Sequence, residues 1–137
     1  MDKSQDYIRI ARDVARLSPC RRRQYGAVLV KNGVIVSTGF NRPVDGEEGC
    51  CDNGLCPGED CKMVHSEMSA ILNARNIDLK GAKLYLAGLE NGKPVRNVTP
   101  CDLCMRIVKV ENLSEVVTYY GSYWSSDEVS DGLAGTV

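Results

Sequence analysis

Alternating apolar and polar positions divide the first forty residues into one helix and two strands. Apolar residues recur at helical spacing over residues 7–14, which predicts an amphipathic helix ending near the proline at position 19. Two β-branched runs follow, at 26–30 and 34–38, and Lys31-Asn32-Gly33 separates them. Asn-Gly is a strong signal for a tight turn, so these runs predict an antiparallel hairpin.

Farther along the chain, helical and strand patterns alternate. Residues 66–74 and 101–110 are predicted to be helices, and residues 84–89 and 116–120 to be strands. The predicted order is therefore α-β-β-α-β-α-β. Because strands joined through a helix run parallel, we expect an α/β fold of three layers, α-β-α, around a mixed sheet of about five strands. The length, 137 residues, suits a single domain over 1–137.

Two segments lack a clear period. Residues 42–62 collect Pro, Gly, Asp and Asn together with four cysteines, which predicts a long loop in need of an anchor. Residues 121–137 are rich in Ser, Asp and Gly and predict a tail or a short helix near 127–133.

Charge and composition narrow the class of function. The formal net charge is -1, which argues against binding of long nucleic acid and favours a small substrate. No apolar run approaches a bilayer span and no signal peptide is evident, so we expect a soluble, cytoplasmic protein without membrane contact. Seven cysteines, an odd number, favour metal ligation over a set of disulfides.

Two short motifs carry the chemistry. The single histidine lies in His65-Ser66-Glu67, and Pro100-Cys101-Asp102-Leu103-Cys104 opens the last predicted helix. His65, Cys101 and Cys104 would give a zinc ion two thiolates and one imidazole, and leave its fourth position open as catalytic sites require. Glu67 is then the candidate catalytic residue, which transfers protons between the attacking water and the departing nitrogen.

The two motifs together resemble the signature of zinc-dependent nucleobase deaminases. The chain is similar more specifically to the deoxycytidylate deaminases of the cytidine deaminase-like superfamily. Residues 20–28 resemble that family's first strand and its lead-in, and residues 37–41 resemble its Gly-Tyr-Asn segment. The resemblance covers roughly residues 7–120 and implies the cytidine deaminase-like fold.

The resemblance also implies a reaction and a set of contacts. The expected activity is hydrolytic deamination of dCMP to dUMP, and the dUMP would supply thymidylate synthesis. The expected binding partner is a small nucleotide. The expected oligomeric state is a homo-oligomer, either a hexamer or a smaller symmetric assembly. The resemblance assigns Asn41 to the sugar, the backbone N–H of Ser66 to the base carbonyl, and Arg21 or Arg23 to the 5′-phosphate. Tyr119 is a candidate for stacking on the base. The structural alternatives are a strand end for Asn41, a solvated loop for the arginines and core packing for Tyr119.

Relatives resembling this chain also carry a second, structural zinc, for which five cysteines remain. We expect its ligands to be Cys20, Cys51, Cys56 and Cys61, with Cys50 as the substitute for Cys51. Four thiolates close a tetrahedral site and would anchor the long loop. Free buried thiols are the alternative.

The chain departs from the family at several positions. The family usually has Ala where Ser66 stands, Asn where Ser69 stands and Gly where Arg42 stands. That glycine lies by a regulatory site for dCTP and dTTP in many relatives, so Arg42 leaves nucleotide regulation open.

The alternative functions are deamination of another small base or nucleoside (cytidine, guanine or a modified dCMP) and a non-catalytic zinc-binding subunit. Glu67 argues against the last, because a structural zinc site needs no proton carrier.

Overall fold

Three helices and a mixed sheet make up the part of the chain that the computed structural model describes, residues 3–20, 22–44 and 63–126. In chain order the elements are α1 (Ser4–Ala15), β1 (Arg23–Lys31), β2 (Val34–Phe40), α2 (Ser66–Asn73), β3 (Lys83–Glu90), β4 (Lys93–Val95), α3 (Asp102–Val110), β5 (Glu115–Thr118) and β6 (Gly121–Ser125). The expected order of elements is confirmed, with two further strands.

The sheet has six strands in the order β2-β1-β3-β5-β6, and β4 pairs with β3 beyond the end of β5. Only the β3–β5 pair among the described strands is parallel, as expected for strands joined through a helix. The two additional strands are β4 and β6. Strand β4 has only three residues, one of them Pro94, so it contains no apolar run that would predict a strand. The Asn91-Gly92 turn before it was the sequence feature that could have indicated a hairpin.

Side chains of the central strands alternate between two apolar cores. Along β1, Ala27 and Leu29 enter the core that α2 and α3 cover, whereas Val28 and Val30 enter the core that α1 covers. A strand buried on both faces is apolar throughout, which explains the unbroken hydrophobic run at these positions. The three-layer α-β-α fold is therefore confirmed.

Two glycines allow helices to lie directly on the sheet, one on each face. A Cβ on Gly39 would lie 2.2 Å from the backbone nitrogen of Ala70 and 2.7 Å from the carbonyl oxygen of Ser66. A Cβ on Gly26 would lie 2.0 Å from the carbonyl oxygen of Ala11. The first turn of α2 is thus seated against β2 at a position where no other residue fits.

Several expectations lie outside the described residues: the anchored loop over most of 42–62 and the short helix near 127–133. Within residues 121–137, the described part forms strand β6 rather than a tail. None of the helices described is both long enough and apolar enough to cross a bilayer.

We predict that Gly39→Ala and Gly26→Ala both lower the free energy of unfolding by about 2 kcal/mol or more, because each new methyl group meets backbone atoms that cannot move independently. Only Gly39→Ala should also lower the zinc content, since it displaces the helix that follows His65. Denaturant unfolding and metal analysis of the two variants test this. Equal zinc loss in both variants would contradict the seating of α2 on Gly39.

Candidate active site

His65 lies at the N-terminus of α2 and is held there by backbone pairing. It is the N-cap residue, with extended backbone angles, and its carbonyl accepts the N–H of Ser69 at 2.9 Å. The preceding residue, Val64, exchanges two backbone hydrogen bonds with Arg42, at 2.6 and 3.1 Å. Arg42 lies two residues beyond the end of β2, so this bridge fixes the entry to α2 relative to the sheet.

Cys101 has the equivalent place on α3. It is the N-cap residue, and its sulfur accepts the backbone N–H of Cys104 at 3.5 Å. Pro100 therefore precedes the cap rather than occupying the first helical turn, because Cys101 itself adopts the extended conformation that a cap requires. The spacing still places both sulfurs on one side of the first turn.

The donor atoms of His65, Cys101 and Cys104 lie within 4.8 Å of one another. Nδ1 of His65 is 3.4 Å from the Cys101 sulfur and 3.5 Å from the Cys104 sulfur. Tetrahedral zinc, with its usual Zn–N and Zn–S bond lengths, separates such a nitrogen and sulfur by about 3.6 Å. The three side chains therefore fit a zinc ion, with Nδ1 rather than Nε2 as the nitrogen ligand.

Cys104 is buried, and its surroundings disfavour a free thiolate. Burial raises the pKa of its thiol well above the ordinary value, and the charges of Glu67 and Cys101 raise it further. A cation between the sulfurs would offset this effect, since a coordinating thiol is deprotonated. The positive N-terminal ends of the helices also favour the thiolate form.

Glu67 is the second residue of α2 and is only 5 % exposed. It is not a member of the donor group, yet its charge is close enough to Cys104 to raise the pKa of that thiol. Its Oε1 accepts a hydrogen bond from the hydroxyl of Ser66 at 2.8 Å. Glu67 is therefore a buried carboxylate beside the His65, Cys101 and Cys104 donor group.

A cavity of about 490 Å³ opens beside this group, large enough for a nucleotide-sized ligand. Its walls come from β1, β3, the start of α2 and the segment between β4 and α3. The lining residues are Cys20, Arg23, Tyr25, Asn41, Met63, His65, Ser66, Glu67, Leu86, Glu90, Val95, Asn97, Val98, Thr99 and Cys101. The cavity wall thus contains residues of both motifs, His65 to Glu67 and Cys101, together with the expected substrate contacts Asn41 and Arg23.

Asn41 and Arg23 both line the cavity, and each is also used within the fold. The Asn41 side chain accepts the N–H of Tyr25 at 2.8 Å and donates to the carbonyl of Arg23 at 2.9 Å, so it fastens the end of β2 to β1. The Arg23 guanidinium approaches Glu90 at 3.8 Å. Its Nε is buried and has no hydrogen-bond partner among the described residues. Arg21 lies outside the described residues.

Tyr119 is not part of the cavity wall. Its ring contacts Tyr120 edge-on, with centroids 5.1 Å apart, and Arg96 lies over it at 5.3 Å. The aromatic residue that does line the cavity is Tyr25, which was not predicted from the sequence. Its position two residues after Arg23 on the same strand was the available signal, because alternate strand residues share a face.

Asn97 and Thr99 were also missed. They line the cavity from the irregular segment before Pro100. That segment has no hydrophobic period, so its only signal was its place next to the Cys101 motif.

Of the four cysteines expected to hold a second zinc and their alternate Cys50, only Cys20 lies within the described residues. It is buried in the cavity wall, its sulfur accepts the N–H of Arg23 at 3.4 Å, and the structure records it as disulfide-bonded. Cys50, Cys51, Cys56 and Cys61 lie outside the described residues, so the four-thiolate site is not tested.

Comparison with known families decides the class of protein. The family model for the cytidine and deoxycytidylate deaminase zinc-binding region matches residues 1–120. The chain belongs to this family. Its His65 and Cys101 motifs stand at two helix N-termini, where the ligands of this zinc-binding region would converge.

Individual relatives agree with the family assignment. The chain is 30% identical to the deoxycytidylate deaminase of Mycobacterium phage D29, over 85% of this chain and 93% of that protein. It is 27% identical to the human deoxycytidylate deaminase over 78% of this chain, but spans only 58% of the human protein. The crystal structure of the cyanophage S-TIM5 dCMP deaminase in complex with dCMP and dUMP matches with a TM-score of 0.65 and 23% identity, over 83% of this chain and 78% of that one. At this identity the structural likeness supports the fold alone.

We predict that Cys104→Ser and His65→Ala each remove about one zinc per chain, because two protein ligands do not hold zinc as three do. Asp102→Asn, an exposed change between the two cysteines, should keep the full zinc content. Metal analysis after dialysis tests all three variants. Full zinc content in Cys104→Ser would exclude this group as the zinc site.

Proposed function

We propose that the protein is a zinc-dependent hydrolytic deaminase that converts dCMP and water to dUMP and ammonia. The observation that carries the proposal is the convergence of His65, Cys101 and Cys104 beside the buried carboxylate of Glu67, on the wall of a nucleotide-sized cavity. The three side chains are the proposed zinc ligands and Glu67 the proposed catalytic residue. Membership in the deaminase family and relatives named deoxycytidylate deaminase support this reaction.

The chemistry needs a nucleophilic water and a proton carrier. Zinc, when bound, supplies Lewis-acid activation of a water molecule at neutral pH. Glu67 accepts one proton from the water as its oxygen attacks C4 of cytosine, and it delivers this proton to N3. It then takes the second proton from the new C4 hydroxyl group and passes it to the amino nitrogen, so that the C4–N bond breaks, the C4 carbonyl forms and ammonia leaves. Burial of Glu67 excludes competing solvent from this exchange.

The expected phosphate contact is Arg23. Its guanidinium lies in the cavity wall, and its buried Nε has no described partner, so a phosphate oxygen would satisfy a donor that is otherwise left unpaired. Glu90, at 3.8 Å, holds the guanidinium on the cavity side of β1. Arg21 remains an alternative phosphate contact.

The remaining substrate contacts follow from the cavity wall. Asn41 lines it and is proposed to bind the sugar with the hydrogen-bonding capacity that its contacts to β1 leave. The backbone N–H of Ser66, in the first turn of α2, has no partner within its helix and is proposed to bind the base carbonyl. Base stacking by Tyr119 stays a prediction from the sequence, because this residue does not line the cavity.

Glu67→Gln should lower kcat for dCMP by about a thousandfold or more, because the amide cannot carry a proton, while zinc content stays at the wild-type level. Ammonia release measured alongside metal analysis tests this. Unchanged ammonia release in the zinc-loaded variant would contradict the proposed mechanism.

Arg23→Ala should raise KM for dCMP about tenfold or more and change KM for deoxycytidine little, because only the nucleotide carries the phosphate. Arg22→Ala is the matched control, since Arg22 is exposed and does not line the cavity. Steady-state kinetics with dCMP, CMP, deoxycytidine and guanine measures this difference and the substrate preference together. Equal effects of Arg23→Ala on dCMP and deoxycytidine would remove Arg23 from the phosphate site.

We also propose a second, structural zinc held by Cys20, Cys51, Cys56 and Cys61, with Cys50 as the alternate. The Cys20 sulfur is buried and accepts a backbone N–H, and in reduced protein it would be a ligating thiolate in place of the disulfide that the structure records. Metal analysis should give two zinc ions per chain, and one in a Cys56→Ser, Cys61→Ser double variant. An active wild type with one zinc per chain and a disulfide at Cys20 would contradict the second site.

A cytoplasmic homo-oligomer completes the proposal. A nucleotide monophosphate is charged and does not cross membranes unaided, so its enzyme is expected where the nucleotide is made. Leu72 on α2 and Leu103 and Val110 on α3 are exposed apolar side chains, which a subunit interface would bury.

A further inference from the structure

Ser66 carries a hydroxyl group that the proposed reaction does not use. The residue is fully buried at the first position of α2, and its Oγ donates to Oε1 of Glu67 at 2.8 Å. The role proposed above for Ser66 concerns its backbone N–H, so the side chain has no function there.

The backbone that carries this hydroxyl is rigidly seated. The carbonyl oxygen of Ser66 packs against Gly39 so closely that an added Cβ would lie 2.7 Å from it. One turn later, the hydroxyl of Ser37 on β2 donates to the carbonyl of Ala70 at 2.6 Å. The Ser66 hydroxyl therefore occupies a fixed point relative to the sheet.

The Glu67 side chain, by contrast, has several rotatable bonds and no fixed direction of its own. A hydrogen bond from a fixed donor selects one carboxylate orientation among the rotamers that the cavity allows. The same carboxylate lies near Cys104, so a small rotation changes its distance from the metal ligands.

We propose that Ser66 is a positioning residue, whose hydroxyl holds Oε1 of Glu67 so that the other carboxylate oxygen meets the reacting atoms. This inference rests on the proposed deaminase function and adds a specific residue to it. The Ser66 hydroxyl orients the Glu67 carboxylate toward the substrate and does not contact the substrate itself.

Ser69 provides a matched control. It is a buried serine on the same helix, 6% exposed, and its Oγ has no hydrogen-bond partner among the described residues. Ser66→Ala and Ser69→Ala thus each remove one buried hydroxyl group from α2. The Ser66 hydroxyl contacts Glu67, and the Ser69 hydroxyl does not.

In zinc-loaded protein, Ser66→Ala should lower kcat for dCMP about tenfold, the effect of losing one hydrogen bond to a charged group, while KM stays within about twofold. Ser69→Ala should leave kcat near the wild-type value. Zinc content and Tm should be the same in the two variants. An equal kcat loss in both variants, or a loss in Ser66→Ala that follows lower zinc content or Tm, would overturn the positioning role.

Crystal structures of the zinc-loaded wild type and Ser66→Ala test the inference without activity. The Glu67 carboxylate should keep one orientation in the wild type and change or split its orientation in Ser66→Ala. An unchanged carboxylate would overturn the inference. If the wild type releases no ammonia from dCMP, the proposed function fails, and the carboxylate orientation still decides the role of Ser66.

Discussion

The whole site depends on two helix N-termini meeting at one edge of the sheet. α2 leads into β3 and α3 leads into β5, and these strands are parallel neighbours. Two helices that precede parallel strands on the same face start at the same edge. His65 and Cys101 cap these helices, so the connectivity brings them to the same edge of the sheet, where their donor atoms lie within 4.8 Å of one another.

This arrangement also sets the electrostatics of the cavity. Free N–H groups and the positive ends of both helices favour anionic groups at this edge, whereas the buried position of Cys104 disfavours its thiolate. Burial raises the pKa of Cys104, and the neighbouring Glu67 charge adds to the rise. A divalent cation held by His65, Cys101 and Cys104 would resolve the conflict, because its charge would balance the two thiolates.

Much of the fold and the donor group could be predicted from sequence, because both are encoded locally. The Asn32-Gly33 turn specifies the hairpin, and both residues adopt the positive φ that it requires. The separation of Cys101 from Cys104 specifies one helical turn. Strands β4 and β6 escaped prediction because they are short and partly exposed, so that pairing with a neighbour rather than an apolar run stabilises them.

The cavity wall was less predictable for a different reason. Tyr25, Asn97 and Thr99 come from separate elements, and only the tertiary fold places them together. The bond between Ser66 and Glu67 depends on side-chain rotamers within one turn, which spacing does not specify. Sequence therefore predicts the convergence of the donor group better than it predicts the residues that surround it.

Anomalous scattering at the zinc edge, from crystals of the zinc-loaded protein, tests the central claim most directly. The account predicts a peak about 2.1 Å from Nδ1 of His65 and about 2.3 Å from the sulfurs of Cys101 and Cys104. A protein that deaminates dCMP while its crystals show no zinc between these three atoms would contradict it.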